Sequence, residues 1–156
     1  MKPLVIGIGN PFRGDDAIGF LAVEQLKKRS KKLADFTLVS DLSDLLDIWS
    51  DHERSVIIDA VFNEEAKPGT IYQLDDINEL IGERGKLHSS HGFGLSEALE
   101  MAKEMERFPL NCQFVGIHGK SWSYGSGLTP EVAEALPTVV DLIHNKLQIE
   151  MVESER

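Results

Sequence analysis

Apolar and polar positions alternate along the chain in two distinct rhythms. Residues 3–9 hold Leu4, Val5, Ile6 and Ile8 in near-continuous succession between Pro3 and Gly9, the pattern of a buried strand. From residue 16 to 32 the period becomes helical, with Ile18, Leu21, Ala22, Gln25 and Leu26 on one face. Asp15 and Asp16 stand at the front of that helix, and Lys27, Lys28, Arg29, Lys31 and Lys32 at its back, an order that suits the helix dipole. Residues 36–40 predict a second strand. Asp41 then caps a helix to residue 52 that turns Leu42, Leu45, Leu46 and Trp49 inward. Residues 55–60 predict a third strand, ending on Asp59 and Ala60.

Strand and helix in alternation predict a parallel sheet covered on both faces. The next connection breaks the rule. Only residues 61–68 separate it from another strand at 70–74, whereas a parallel crossover takes about a dozen residues or more. That strand is expected to run antiparallel at an edge of the sheet. A polar stretch with one helical turn at 76–81 leads to a helix at 95–107, with Leu95, Ala98, Leu99, Ala102 and Met105 inward. Residues 112–117 predict the fifth strand, and Thr129-Pro130-Glu131 opens a last helix to about residue 149 in the order cap, proline, acid. The fold class is therefore α/β: three αβα layers around a five-stranded, mostly parallel twisted sheet with one antiparallel edge strand. Residues 1–150 read as a single domain and 151–156 as a frayed tail.

Composition narrows the function. At 156 residues and 42% hydrophobic content the chain supports one core. A net charge of -10 opposes binding to nucleic acid or to anionic lipid, both of which need clustered Lys and Arg. No apolar run approaches the roughly 18 residues of a membrane span, and Met1-Lys2-Pro3 leads straight into a strand without a signal-peptide pattern. A cytoplasmic, monomeric protein is expected. The single cysteine, Cys112, lies in an apolar strand and reads as a buried structural thiol.

Three kinds of chemistry present themselves. Gly7-x-Gly9 between strand and helix resembles half of a dinucleotide fingerprint, but the third glycine is replaced by Phe12, and Asp15 and Asp16 would repel a pyrophosphate. Ser89, Ser90, Ser121, Ser123 and Ser126 occupy loops near His88, His91 and His118, yet no GxSxG elbow exists, and serine serves turn geometry in such loops. His52 and His144 fall on helix faces read as solvated. A metal site is the third possibility. Asp16 after strand one, Asp59 at the end of strand three and His91 before the helix at 95–107 all belong to the carboxyl edge of the sheet, where ligands of open α/β sheets gather. Each of the three also has a plain structural reading, as a helix-start acid, a strand-end acid and a loop histidine.

The stretch Gly7-Ile8-Gly9-Asn10-Pro11-Phe12-Arg13-Gly14-Asp15-Asp16-Ala17-Ile18-Gly19 resembles the opening motif of the [NiFe]-hydrogenase maturation endopeptidases. Further anchors follow in the same order: Ile57-Ile58-Asp59-Ala60, Ser90-His91-Gly92-Phe93-Gly94-Leu95 and Gly127-Leu128-Thr129-Pro130. The resemblance implies an endopeptidase that removes the C-terminal extension of the hydrogenase large-subunit precursor once nickel has been inserted. It further implies that Asp16, Asp59 and His91 bind nickel, delivered on the substrate, at a site compatible with other divalent metals. Some relatives carry Glu where this chain has Asp16, one methylene longer. No nucleophile is assigned by the resemblance. The loops around these residues would wall a groove for the substrate tail with Asn10, Phe12, Phe62, Phe93, Trp122 and Tyr124. A non-catalytic, nickel-dependent chaperone on the same scaffold is the alternative.

Overall fold

The computed structural model describes residues 2–49, 53–62, 65–82, 94–108 and 111–154. Five strands form one sheet: β1 (Leu4–Ile8), β2 (Asp35–Val39), β3 (Ser55–Val61), β4 (Ile71–Leu74) and β5 (Cys112–His118), in the spatial order β2-β1-β3-β5-β4. All neighbours pair in parallel except β4, which runs antiparallel to β5 at the edge. The short connection between β3 and β4 thus has the consequence expected of it, because too little chain exists there for a crossover.

The helices are α1 (Ile18–Arg29), α2 (Leu45–Ile48), α3 (Glu79–Gly82), α4 (Leu95–Glu104) and α5 (Pro130–Ser154). One core lies between the sheet and α1 with α5, where Val5, Val56, Ile58, Val115 and Ile117 meet Val23, Leu26, Val139 and Ile143. A second lies on the opposite face, where Leu4, Ile6, Ile8, Ile57 and Phe114 meet Leu45, Leu95 and Leu99. Alternate residues of each strand feed the two cores, so both faces are buried and the strands read as continuous apolar runs.

Helix boundaries differ from expectation at four places. The first helix begins at Ile18, and residues Gly14–Ala17, which include both acids, form a separate 3-10 turn. Asp41 accepts from the backbone N–H and the hydroxyl of Ser43, and this tight Asx turn converts Leu42–Asp44 into a 3-10 turn ahead of a short α2. The third long helix stops at Glu104, and Glu106 takes a positive φ of 58°. The tail expected to fray from residue 151 is helical to Ser154.

Candidate functional site

The turn after β1 is shaped by two glycines. Gly9 has φ of +141°, and a Cβ there would stand 2.0 Å from the carbonyl oxygen of Asp16. A Cβ on Gly19 would stand 2.5 Å from the carbonyl oxygen of Ile8 and 2.7 Å from that of Ile58. The glycines therefore let the acid-bearing turn and the start of α1 lie directly on the carboxyl ends of β1 and β3. Close backbone packing, and not phosphate binding, is what this glycine pattern serves.

Asp16 is brought to that edge fully buried, with one carboxylate oxygen accepting the Asn10 backbone N–H at 3.0 Å. Asn10 in turn uses its side-chain oxygen to accept the Phe12 N–H at 2.9 Å, so it holds the turn from both directions. Asp59, 1% exposed, is carried by β3. The parallel register Gly7↔Ile58 sets it level with Ile8, next to the turn. By strand alternation Asp59 shares the sheet face of Ile57 and Val61, the face that α4 covers. His91 and Phe93 lie outside the described residues, as do His52, His88, Ser89 and Ser90; His91 stands three residues before Gly94, the N-cap of α4.

Two buried carboxylates on neighbouring segments are hard oxygen donors suited to a divalent cation. Among the described residues no group of three His, Cys, Asp or Glu side chains lies close enough to hold a metal. His91, the third residue of the expected set, lies outside them.

The rim is aromatic. Phe12 is 74% exposed and Tyr124 73%, and Phe62 after β3 is 37% exposed, whereas Trp122 is half-buried against the α1–α5 core. The loops carrying Phe12 and Tyr124 pair through an Arg13↔Tyr124 bridge, a Gly125 N–H to Phe12 carbonyl bond of 2.9 Å, and the Arg13 Nε–H to Trp122 carbonyl bond of 3.2 Å.

Other reactive side chains are accounted for. Burial pushes the Cys112 thiol up to about 12, which keeps it protonated and inert at neutral pH. Ser121, Ser123 and Ser126 bond to one another and to loop carbonyls, as turn serines do. His144 is not solvated: it is half-buried, with Nδ1 2.6 Å from the hydroxyl of buried Ser30 just past the end of α1, far along that helix from Asp16.

Residues 21–146 match the model of the hydrogenase maturation protease family. This chain belongs to the hydrogenase maturation protease family. It is 29% identical to the hydrogenase 2 maturation protease of Escherichia coli K12 over 147 residues, covering 92% of this chain and 88% of that one. It is 28% identical over 132 residues to protein FrxA of Pyrococcus furiosus, covering 83% and 93%. Among solved structures, the [NiFe] hydrogenase maturation protease HybD from Thermococcus kodakarensis superposes with a TM-score of 0.78 at 25% identity, covering 94% of this chain and 99% of that one. The maturating endopeptidase HybD from E. coli gives the same score and identity.

As a maturation protease the chain is an endopeptidase of the hydrolase class. No helix among its described residues is long and apolar enough to cross a membrane. Two site features of this protease escaped sequence reasoning. Asp15 makes a dense set of contacts described below. His118, at the end of β5, is buried with Nδ1 lacking a hydrogen-bond partner among the described residues, and burial lowers its pKa. By strand alternation it shares the face of Phe114 and Asp59. Its burial was not legible in the linear sequence, because the signal is its register opposite Val61.

Proposed function

We propose that this protease removes the C-terminal extension of the [NiFe]-hydrogenase large-subunit precursor after nickel insertion. In this reading the nickel arrives in the precursor and is recognised by Asp16, Asp59 and His91. The observation that carries it is the burial of two carboxylates at the carboxyl edge of the sheet, Asp16 on the turn after β1 and Asp59 on β3, within a maturation-protease fold. In this reading two buried carboxylates at one edge of the sheet make that edge attract a cation, and the loaded precursor brings it.

The chain's own residues then divide the work. Asp16 and Asp59 offer oxygen donors from below, and Asn10 fixes one Asp16 oxygen through its N–H. When bound, a metal at such a site polarises a carbonyl or acidifies a water. Phe12, Phe62 and Trp122 wall the path of the extension in this reading, while Phe93, expected with them, lies outside the described residues. Phe12 and Phe62 expose aromatic surface that an extended peptide covers.

The test uses purified protease mixed with nickel-loaded and nickel-free precursor, followed by intact masses. Shortening of the loaded precursor alone is the expected result. Equal shortening of both forms removes nickel from the recognition step, and stable binding without shortening makes the protein a chaperone instead. Asp16→Ala, Asp59→Ala and His91→Ala are each expected to lose at least about 100-fold in cleavage rate, the scale for a directly contacting polar group.

A further inference from the structure

Asp15 is fully buried like its neighbour Asp16, yet the two carboxylates engage different partners. One oxygen accepts the backbone N–H groups of Lys120 at 2.7 Å and Ser121 at 3.0 Å. The other accepts the Thr129 N–H at 2.7 Å, and the Thr129 hydroxyl lies 2.9 and 3.0 Å from the two oxygens. The Asp15 N–H meanwhile donates to the Ser121 carbonyl at 2.8 Å. Thr129 immediately precedes α5, so Asp15 also sits at the positive end of that helix.

Such saturation removes Asp15 from consideration as a metal donor or a base, since its lone pairs are all engaged. It also ties three separate parts of the chain to one side chain: the Asp16 turn, the segment 119–125 that bears Trp122 and Tyr124, and the start of α5. Asp16 follows Asp15 directly, within one 3-10 turn whose own N–H bond, from Asp16 to the Arg13 carbonyl, is short-range. The placement of the turn from which the Asp16 side chain reaches the Asn10 N–H is therefore tied to what grips Asp15. A neutral cap residue would serve a helix start as well, so a buried carboxylate bonded across more than a hundred residues of sequence has a further use.

We infer that Asp15 is a positioning residue, which aims the Asp16 carboxylate by locking its turn to the 119–129 segment. This rests on the reading of Asp16 as a group that meets the precursor's metal. It makes the 119–129 segment part of the site: displacement of that segment by bound substrate reaches Asp16 through Asp15.

The test measures kcat and KM for nickel-loaded precursor per folded molecule, well below the unfolding midpoint, in Asp15→Asn, Thr129→Val and Thr129→Ser. Asn keeps the shape of Asp but faces one pair of donors with its own NH2 group. A positioning role predicts a kcat about 10–100-fold lower in Asp15→Asn with KM little changed, as for groups that orient a ligating side chain. Thr129→Val is expected to lose kcat in the same direction and by less, and Thr129→Ser to restore it. A role in stability alone would lower the midpoint and leave kcat per folded molecule untouched, which overturns the inference. Should Asp15→Asn not fold, the Thr129 pair decides. Asp16→Ala measured alongside separates the two ideas. If it cleaves normally, the reading of Asp16 fails and the positioning role with it. If it is inactive while Asp15→Asn and Thr129→Val keep wild-type kcat, only the positioning role fails.

Discussion

At the scale of single residues, the site depends on backbone positions as much as on reactive groups. Gly9→Ala places a methyl group against the Asp16 carbonyl in a conformation that L-residues avoid. It is expected to cost about 2–3 kcal/mol in urea unfolding, the range for strained backbone, and to lower cleavage further because the collision displaces Asp16 itself. Cys112 gives a chemical check on burial. With its thiol pushed up to about 12, it is expected to resist iodoacetamide at pH 8 in the folded protein and to react once unfolded in urea, read as a mass increment. His118 makes a pH prediction. Burial lowers its pKa below the ordinary value of about 6.5. Between those two values the unfolded chain binds the proton and the folded chain does not. Its contribution to stability is therefore full above about pH 6.5 and lost as pH falls through that value toward the folded one. Urea unfolding of wild type and His118→Gln from pH 8 to 5.5 is expected to show the wild type losing more stability. Parallel curves would place His118 in contact with solvent.

At the scale of elements, the expected pattern held where one force dominated. All five strands lie within a residue or two of their expected limits, and the three inner ones, β1, β3 and β5, are buried on both faces almost throughout, because two helical layers cover them. Helix ends were decided by local hydrogen bonds that apolar spacing does not report. The Asx turn at Asp41 shortened the second helix, and the N–H of Asp15, drawn to Ser121, separated the acid turn from α1. In α5, Ile143 is fully buried against the sheet. Ile143→Ala is expected to destabilise by about 2–5 kcal/mol through the cavity it leaves, while kcat per folded molecule stays near wild type. Comparing chemical unfolding with precursor cleavage separates these effects.

At the scale of the whole molecule, the fold brings Asp16 and Asp59, distant in sequence, to one edge of the sheet. If Asp16 and Asp59 act on one precursor-borne cation, their effects are not additive. The Asp16→Ala/Asp59→Ala double variant is then expected to cleave no more slowly than the slower single variant, since one loss already disables the unit. Initial rates from intact precursor masses measure this, and multiplicative losses would show that the two acids act separately.

The sequence by itself determined the layer architecture, the antiparallel edge strand and the glycine turn. It also marked Asp16, Asp59 and His91 as candidates, because periodicity, chain length and turn chemistry are local properties. It did not reveal which of two adjacent acids was engaged. Asp15 and Asp16 are chemically equal in the chain, and only the arrival of Lys120, Ser121 and Thr129 from more than a hundred residues away separates them. Likewise the register that sets Asp59 level with Ile8, and His118 opposite Val61, follows from strand order, which no local pattern contains. Burial converts these placements into chemistry: a carboxylate saturated by donors becomes a fixed anchor, and its neighbour in the same turn accepts the Asn10 N–H at the carboxyl edge of the sheet.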